Sequence, residues 1–163
     1  MSSCVFPGSF DPVTRGHMDL ITRAARIFDR VTVTVMVNVH KRGAIPEESR
    51  VELLKEACGN LENVTVERWD GLLADYMRER GESCVLRGVR GVSEYDGEMT
   101  AAAVNRMLNP EMETLLMPAT EGMNCVSSSA VREIAAFGGD ISTLVPEGMA
   151  ERIRLLLDAE GKK

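Results

Sequence analysis

The chain has 163 residues, of which 44% are hydrophobic and 27% are charged, values typical of one globular domain spanning residues 1–163. The 19 Lys and Arg against 25 Asp and Glu give a net charge of −6, and aromatic residues make up only 4%. This composition argues against nucleic acid and anionic membranes as partners.

The four cysteines show no C-x-x-C spacing, and only two histidines accompany them. We therefore expect free thiols in a cytoplasmic protein, with neither a zinc site nor disulfides. The N-terminal residues do not resemble a signal peptide, and no apolar segment is long enough to span a membrane.

Strand-like and helical segments alternate along the chain. The predicted strands are residues 3–6, 31–39, 63–69, 83–86 and 113–117. Helices are predicted over residues 17–28, from Pro46 to about Cys58, and over 72–80, 93–108, 127–137 and 146–159. This order favours an α/β fold, a Rossmann-like doubly wound sheet of five parallel strands with helices on both faces. Such sheets bind ligands beyond the carboxyl ends of their strands.

The loop after the first predicted strand reads Gly8-Ser-Phe-Asp-Pro-Val-Thr-Arg-Gly-His17. It is neither a G-x-G-x-x-G fingerprint nor a Walker loop. Ser9 offers a hydroxyl, Phe10 a backbone N–H, and His17 stands at a helix start that can receive phosphate. The alternative is a surface histidine. In either case the helix N-terminus disfavours imidazolium, so we expect a neutral ring that can still donate one hydrogen bond.

Polar and cationic residues follow three further strands. His40-Lys-Arg-Gly43 follows the second strand, and Arg87-Gly-Val-Arg-Gly91 follows the fourth. Guanidinium groups suit phosphate because they are planar and always charged, although both segments could be solvated surface loops. Ser127-Ser-Ser129 stands at a helix start, where serines cap the helix and can also hold phosphate.

The segment Gly8-Ser-Phe-Asp-Pro-x-Thr-x-Gly-His-x-Asp resembles the T/H-x-G-H nucleotidyltransferase superfamily. Over nearly the whole chain the sequence is most similar to the phosphopantetheine adenylyltransferases within it. The resemblance implies reversible transfer of the adenylyl group of ATP to 4′-phosphopantetheine, giving dephospho-coenzyme A and pyrophosphate in coenzyme A biosynthesis. It also implies Mg²⁺ bound with ATP, a homohexamer, and coenzyme A as a feedback ligand.

The resemblance assigns roles to residues at matching positions. The catalytic positions are His17, Lys41, Arg90 and Ser128. The phosphopantetheine positions are Ser9, Lys41, Leu73 and Arg87. The ATP positions are Ser9, Phe10, His17, Gly88, Val89, Arg90, Glu98, Val126, Ser127, Ser128 and Ser129. No protein ligand to the metal is expected, because no dense group of carboxylates is apparent.

The sequence departs from the family pattern in two places. Gly97 stands where many members carry tyrosine, and residues 121–125 lack the aromatic residues often found before the serines. Both departures bear on nucleotide contacts more than on the reaction. The alternatives are a sister nucleotidyltransferase with another phosphate acceptor and a non-catalytic nucleotide sensor. The Arg87-Gly-Val-Arg90 segment argues against the first, and the complete set of matching residues against the second.

Overall fold

A computed structural model of the chain describes residues 1–37 and 43–161. Lys41 lies outside these ranges. In chain order the elements are β1 (Ser3–Gly8), α1 (Arg15–Ile27), β2 (Arg30–Val37), α2 (Glu47–Ala57), β3 (Val64–Asp70), α3 (Leu73–Arg80), β4 (Cys84–Val89), α4 (Val92–Leu108), β5 (Glu113–Pro118), α5 (Ser128–Ala136) and α6 (Ala150–Gly161).

The strands form one parallel sheet in the order β3-β2-β1-β4-β5, so the predicted Rossmann-like architecture is confirmed. The chain first runs outward from β1 to β3 and then returns to the other side of β1 with β4. The connection after β1 therefore leads toward one edge of the sheet, and the connection after β4 leads toward the other edge. This reversal creates the crevice at which such sheets bind ligands.

Alternate residues of β1 pack into cores on opposite faces of the sheet. Cys4 and Phe6 belong to the larger core, which includes residues of α1, α2, α5 and α6. Val5 belongs to a smaller core with Tyr76 of α3. A central parallel strand is buried on both faces for this reason. In β2, likewise, Thr32 and Thr34 are buried as well as the alternating valines.

Several elements extend beyond their predicted bounds. The fourth strand was expected to end at Leu86, but β4 continues to Val89 because its ladder with β5 runs on to the pair Val89–Pro118. Arg87 and Gly88 therefore belong to a strand and not to a loop. Similarly, β1 continues to Gly8, paired with Val35.

Helix α4 packs loosely against the rest of the described chain. None of its 17 residues is buried. Its exposed apolar side chains are Val92, Tyr95, Met99, Val104, Met107 and Leu108. On the neighbouring edge strand β5, Leu115 is exposed as well. Within residues 1–37 and 43–161, no helix is both long and apolar enough to cross a membrane.

Candidate active site

A cavity of about 530 Å³ opens at the carboxyl ends of β1 and β4, where the strand order reverses. Residues at the N-termini of α1, α4 and α5 line it, and helix N-termini favour anions. Its charged lining residues are Arg87, Arg90, Arg132, Glu94 and Glu98. This combination suits a ligand that carries several negative charges.

Helix α1 begins with a cap that fixes the ring of His17. The Thr14 side chain accepts from the His17 backbone N–H at 3.3 Å, and the Thr14 backbone N–H donates to His17 Nδ1 at 3.0 Å. A backbone N–H can only donate, so Nδ1 is unprotonated and the neutral ring carries its hydrogen on Nε2. The helix starts at Arg15, two residues before the predicted start, because the cap forms at Thr14.

The ring of His17 is neutral at pH 7, in agreement with the prediction. Burial, and then the positive charges of Arg90 and Arg87, lower the pKa of His17 from 6.5 to about 4. The ring also packs edge-on against Phe10, with 4.9 Å between the ring centroids. His17 therefore offers one hydrogen-bond donor, its Nε2–H, to a ligand in the cavity.

The loop between β1 and α1 has a tight backbone. Phe10 has φ of +46°, a left-handed conformation that costs a residue with a side chain roughly 1–3 kcal/mol. Its buried ring packs edge-on against Phe6, with 5.6 Å between centroids, and this packing offsets the cost. A Cβ atom at Gly8 would lie 3.0 Å from the Phe10 ring, so this close approach favours glycine at that position.

Side chains from α2 and α5 hold the carbonyl groups of the same loop. Arg50 donates to the Ser9 carbonyl oxygen at 2.9 Å, and Arg132 donates to that of Asp11 at 2.5 Å. The Ser128 hydroxyl donates to the Pro12 carbonyl oxygen at 2.7 Å. The Asp11 carboxylate in turn accepts from the backbone N–H groups of Ala44 and Ile45, at 2.7 and 2.8 Å. The β1–α1 loop is thus fixed against both helices.

The start of α5 presents backbone donors to the cavity. Ser127 is the N-cap, and its side chain accepts from the Ala130 N–H at 3.1 Å. The hydroxyl hydrogen of Ser128 is already donated to Pro12, so a phosphate there would meet the N–H groups of Ser128 and Ser129. These are first-turn amides, which have no carbonyl partner within a helix.

Arg87 is held rigidly at the end of β4. Its Nε and Nη2 each donate to the Glu98 carboxylate at 2.8 Å, and its Nη1 donates to the Pro7 carbonyl oxygen at 2.7 Å. An arginine has five N–H donors, so two remain for a ligand. Glu98 therefore orients Arg87 as well as facing the cavity itself.

Arg90 follows β4 and lines the larger cavity. Its side chain pairs with the carboxylate of Glu94, which also accepts from the Arg90 backbone N–H at 2.9 Å. Hydrogen bonds from Arg90, set against a smaller effect of burial, lower the pKa of Glu94. Arg90 Nη1 lies 3.4 Å from the carbonyl oxygen of Val126, so Arg90 links β4 to the start of α5.

A second cavity of about 240 Å³ adjoins the first. The two cavities share five lining residues: Pro7, Gly8, Ser9, Arg87 and Glu98. Leu73, at the first position of α3, lines only the smaller one, together with Met36 and alanines of α4. The structure therefore provides two neighbouring compartments with Ser9 and Arg87 at their boundary.

Comparisons with known proteins identify the family. A phosphopantetheine adenylyltransferase from Rubrobacter xylanophilus is 44% identical over 163 residues, covering 99% of both chains. The enzyme of that name from Deinococcus radiodurans is 46% identical, covering 93% of this chain and 92% of its own. The Finegoldia magna relative is 45% identical, covering 92% and 93%. The chain belongs to the phosphopantetheine adenylyltransferase family.

Two further comparisons agree with this assignment. A family model for cytidylyltransferase-like proteins matches residues 5–134. A crystal structure from Vibrio parahaemolyticus, described as a candidate nicotinate-nucleotide adenylyltransferase, superposes with a TM-score of 0.66. It covers 95% of this chain and 93% of its own at 17% identity, which shows a shared fold.

Most of the residues assigned by family resemblance lie together in the larger cavity. Its lining includes Ser9, Phe10, His17, Arg87, Gly88, Arg90, Glu98, Val126, Ser127, Ser128 and Ser129. Leu73 lies in the smaller cavity. Val89 lines neither cavity, and its carbonyl oxygen accepts from the Ala119 N–H at 2.9 Å. Lys41 is outside the described residues, so its role remains a prediction.

Thr14, Arg132 and Glu94, the partner of Arg90, belong to the site and were not predicted from the sequence. Thr14 caps α1 and fixes the His17 ring, but the usual capping-box pattern carries Glu or Gln three residues later, not His. Arg132 lines the larger cavity from the second turn of α5. Its spacing of four residues from Ser128 was the only available signal, and it becomes informative only once the helix start is known.

Proposed function

We propose that the protein transfers the adenylyl group of ATP to 4′-phosphopantetheine, releasing pyrophosphate and forming dephospho-coenzyme A. One observation carries the proposal: a cavity rich in arginine and helix N-termini adjoins a second compartment at Ser9 and Arg87. The larger cavity would hold ATP and the smaller one the pantetheine arm. The shared boundary is where the two phosphates must meet.

The reaction requires two anions to approach and the α-phosphate to gain negative charge. A phosphate monoester is an adequate nucleophile, so the protein contributes mainly positioning and electrostatic stabilisation. The phosphopantetheine phosphate attacks the α-phosphorus, a P–O bond forms, and the bond to the departing pyrophosphate breaks. In this scheme Arg87, set by Glu98, holds the acceptor phosphate, while Arg90 and the N–H groups of α5 hold the polyphosphate.

His17 acts in this scheme as a neutral donor to the reacting phosphate. The hydrogen bond from the His17 Nε2–H to a phosphate oxygen becomes stronger as negative charge grows on that oxygen, and no proton is transferred. Its depressed pKa, near 4, keeps the ring in this form. Lys41 is proposed as the remaining cation, on the strength of the family resemblance alone.

Mg²⁺ is proposed to accompany ATP, shielding its β- and γ-phosphates. The two carboxylates of the cavity, Glu94 and Glu98, are both paired with arginines. Within the described ranges no group of three or more His, Cys, Asp and Glu residues could hold a metal ion. These residues fit an ion held by nucleotide oxygens and water better than one held by the protein.

One assay tests the reaction and its alternatives. The protein is incubated with ATP, Mg²⁺ and 4′-phosphopantetheine, and pyrophosphate and dephospho-coenzyme A are measured. Parallel reactions contain nicotinate mononucleotide or glycerol 3-phosphate. Dephospho-coenzyme A only in the first reaction supports the proposal. Product from another acceptor instead would favour a sister enzyme, and no product from any acceptor would favour a nucleotide sensor.

We propose a homohexamer in which α4 and β5 contribute to the contacts between subunits. The unburied apolar residues of α4 and the exposed Leu115 of the edge strand support this. Six chains of 17.9 kDa would have a mass of about 107 kDa in light scattering. A mass near 17.9 kDa at all concentrations would contradict the proposal.

Coenzyme A is proposed as a feedback ligand of the same site, because it shares the pantetheine arm and nucleotide of the product. It should then compete with phosphopantetheine in initial-rate measurements, and inhibition that is independent of that substrate would contradict a shared site.

The proposed location is the cytoplasm. Four free cysteines are typical of a reducing compartment.

A further inference from the structure

Helix α1 makes a second contact with the site, on a face away from His17. Asp19 and Arg23, one turn apart, reach the beginning of the loop between β5 and α5. With Thr120 they form a group that we call the α1 latch. The side chains of Asp19 and Arg23 are only partly exposed, at 19% and 32%, and Thr120 is exposed. The reaction scheme above uses none of the three.

The α1 latch contains a closed set of hydrogen bonds. Arg23 Nη1 donates to the Pro118 carbonyl oxygen at 2.7 Å and pairs with Asp19 at 3.1 Å. Asp19 accepts from the Thr120 hydroxyl at 2.8 Å and from the Thr120 backbone N–H at 3.3 Å. Both ends of the Pro118–Ala119–Thr120 segment are therefore fixed to α1.

Backbone turns carry this constraint along the loop to the cavity. The Thr120 carbonyl oxygen accepts from the Met123 N–H at 2.9 Å, and the Met123 carbonyl oxygen accepts from the Val126 N–H at 3.1 Å. Ala119, Met123 and Val126 all line the larger cavity and not the smaller one. The loop wall of the proposed ATP compartment thus depends on the position of Thr120.

We propose that Asp19, Arg23 and Thr120 are positioning residues for the nucleotide. They hold the β5–α5 loop in the shape that the nucleotide meets and do not touch the reacting phosphates. The inference rests on the proposed function, in that it takes the larger cavity as the ATP compartment. It adds that the loop wall of this compartment is set by the same helix that presents His17.

The test compares Thr120→Val with Thr120→Ser. We expect Thr120→Val to raise the KM and Kd for ATP about tenfold while the KM for phosphopantetheine stays within twofold, because the hydrogen bonds of the Thr120 hydroxyl with Asp19 and Arg23 are lost. Thr120→Ser retains the hydroxyl and should restore wild-type values. Asp19→Ala should act like Thr120→Val, and the double variant should be no worse than either single variant, because all break one network.

Arg78→Met is the matched control. Arg78, on α3, pairs with Asp75 at 2.8 Å and donates to the Leu108 carbonyl oxygen at 2.8 Å. It therefore makes the same kinds of contact as Arg23 makes on α1, one with a carboxylate and one with a carbonyl oxygen. It lines neither cavity. Arg78→Met should leave the Kd for ATP unchanged, whereas a general loss of stability would affect both sets of variants.

Amide hydrogen exchange of residues 119–126 provides a readout without turnover. Thr120→Val and Asp19→Ala should exchange faster there, and Arg78→Met should not. Unchanged exchange in this loop, or equal increases in both KM values, would overturn the inference. Measurements of ATP binding and of amide hydrogen exchange need no phosphate acceptor. They therefore test the role of the α1 latch even if the wild-type protein makes no dephospho-coenzyme A. Wild-type protein that does not bind ATP would overturn the latch as a nucleotide-positioning group.

Discussion

Replacing His17 by asparagine or by glutamine distinguishes the role of its Nδ1 from the role of its Nε2–H. The oxygen of asparagine lies roughly where Nδ1 lies and can accept from the Thr14 N–H, which closes the cap of α1. The amide nitrogen of glutamine extends roughly to the position of Nε2 and can still donate into the cavity. Alanine provides neither group.

The expected magnitudes follow from these contacts. His17→Asn loses the cavity donor, so kcat should fall by about 10²–10³, the effect of removing one donor to a developing oxyanion. His17→Gln keeps a less rigid donor and should lose only about tenfold. His17→Ala should lose as much turnover as His17→Asn. It also loses the hydrogen bond from the Thr14 N–H to the side chain at position 17, worth about 1 kcal/mol, which corresponds to about 2–4 °C in Tm.

Pyrophosphate release at saturating ATP and phosphopantetheine measures the turnover, and calorimetry measures the Kd for ATP. We expect the Kd to change by less than about fivefold in all three variants, because Arg90 and the α5 amides remain. Turnover by His17→Asn within tenfold of wild type would refute the role of the Nε2–H. A Kd that rises in step with the loss of kcat would show that His17 binds ground-state ATP instead.

Three further predictions concern the arginines, the helices and pH. Arg87→Ala should raise the KM for phosphopantetheine more than that for ATP, and Arg90→Ala the reverse, since Arg87 lines both cavities whereas Arg90 lines the larger one alone; equal effects would contradict the division. Gly97→Ala should raise the Tm by about 2–4 °C, because a Cβ there meets open space and glycine costs a helix about 1 kcal/mol; an unchanged or lower Tm in thermal unfolding would contradict this. The unfolded chain takes up the His17 proton near pH 6.5 and the folded chain only near pH 4, so the free energy of unfolding should fall as pH drops through this interval. Urea titrations of His17→Asn should show a flatter dependence, and identical slopes would refute the shifted pKa.

The order of elements and the residues that meet at the switch point were predictable from the sequence. Strand ends followed by Gly8-Ser9, by Arg87-Gly88 and by the serine run must gather at one edge of a parallel sheet. The pairing that organises them was not predictable. Ser128 donates to Pro12, which lies 116 positions away in the chain, and Arg87 of β4 donates to Glu98 of α4. Such contacts depend on packing distances that no local pattern encodes.

The extent of β4 shows the same limit. The apolar run Cys84-Val85-Leu86 ends at Arg87, so the sequence predicted a loop from Arg87 onward. The ladder to β5 continues for three more residues because backbone hydrogen bonds do not depend on side-chain polarity. A polar residue at the carboxyl end of a strand is therefore weak evidence for the end of the strand.

The dual use of the His17 ring limits how the protein could be stabilised. At this third helical position, glutamate completes a capping box better than histidine does, and its charge suits the helix N-terminus. His17→Glu would thus tighten α1 while bringing an anion to the phosphates. Selection for thermal stability and selection for turnover therefore oppose each other at one side chain. A thermostable relative that keeps its turnover must therefore gain stability at other residues.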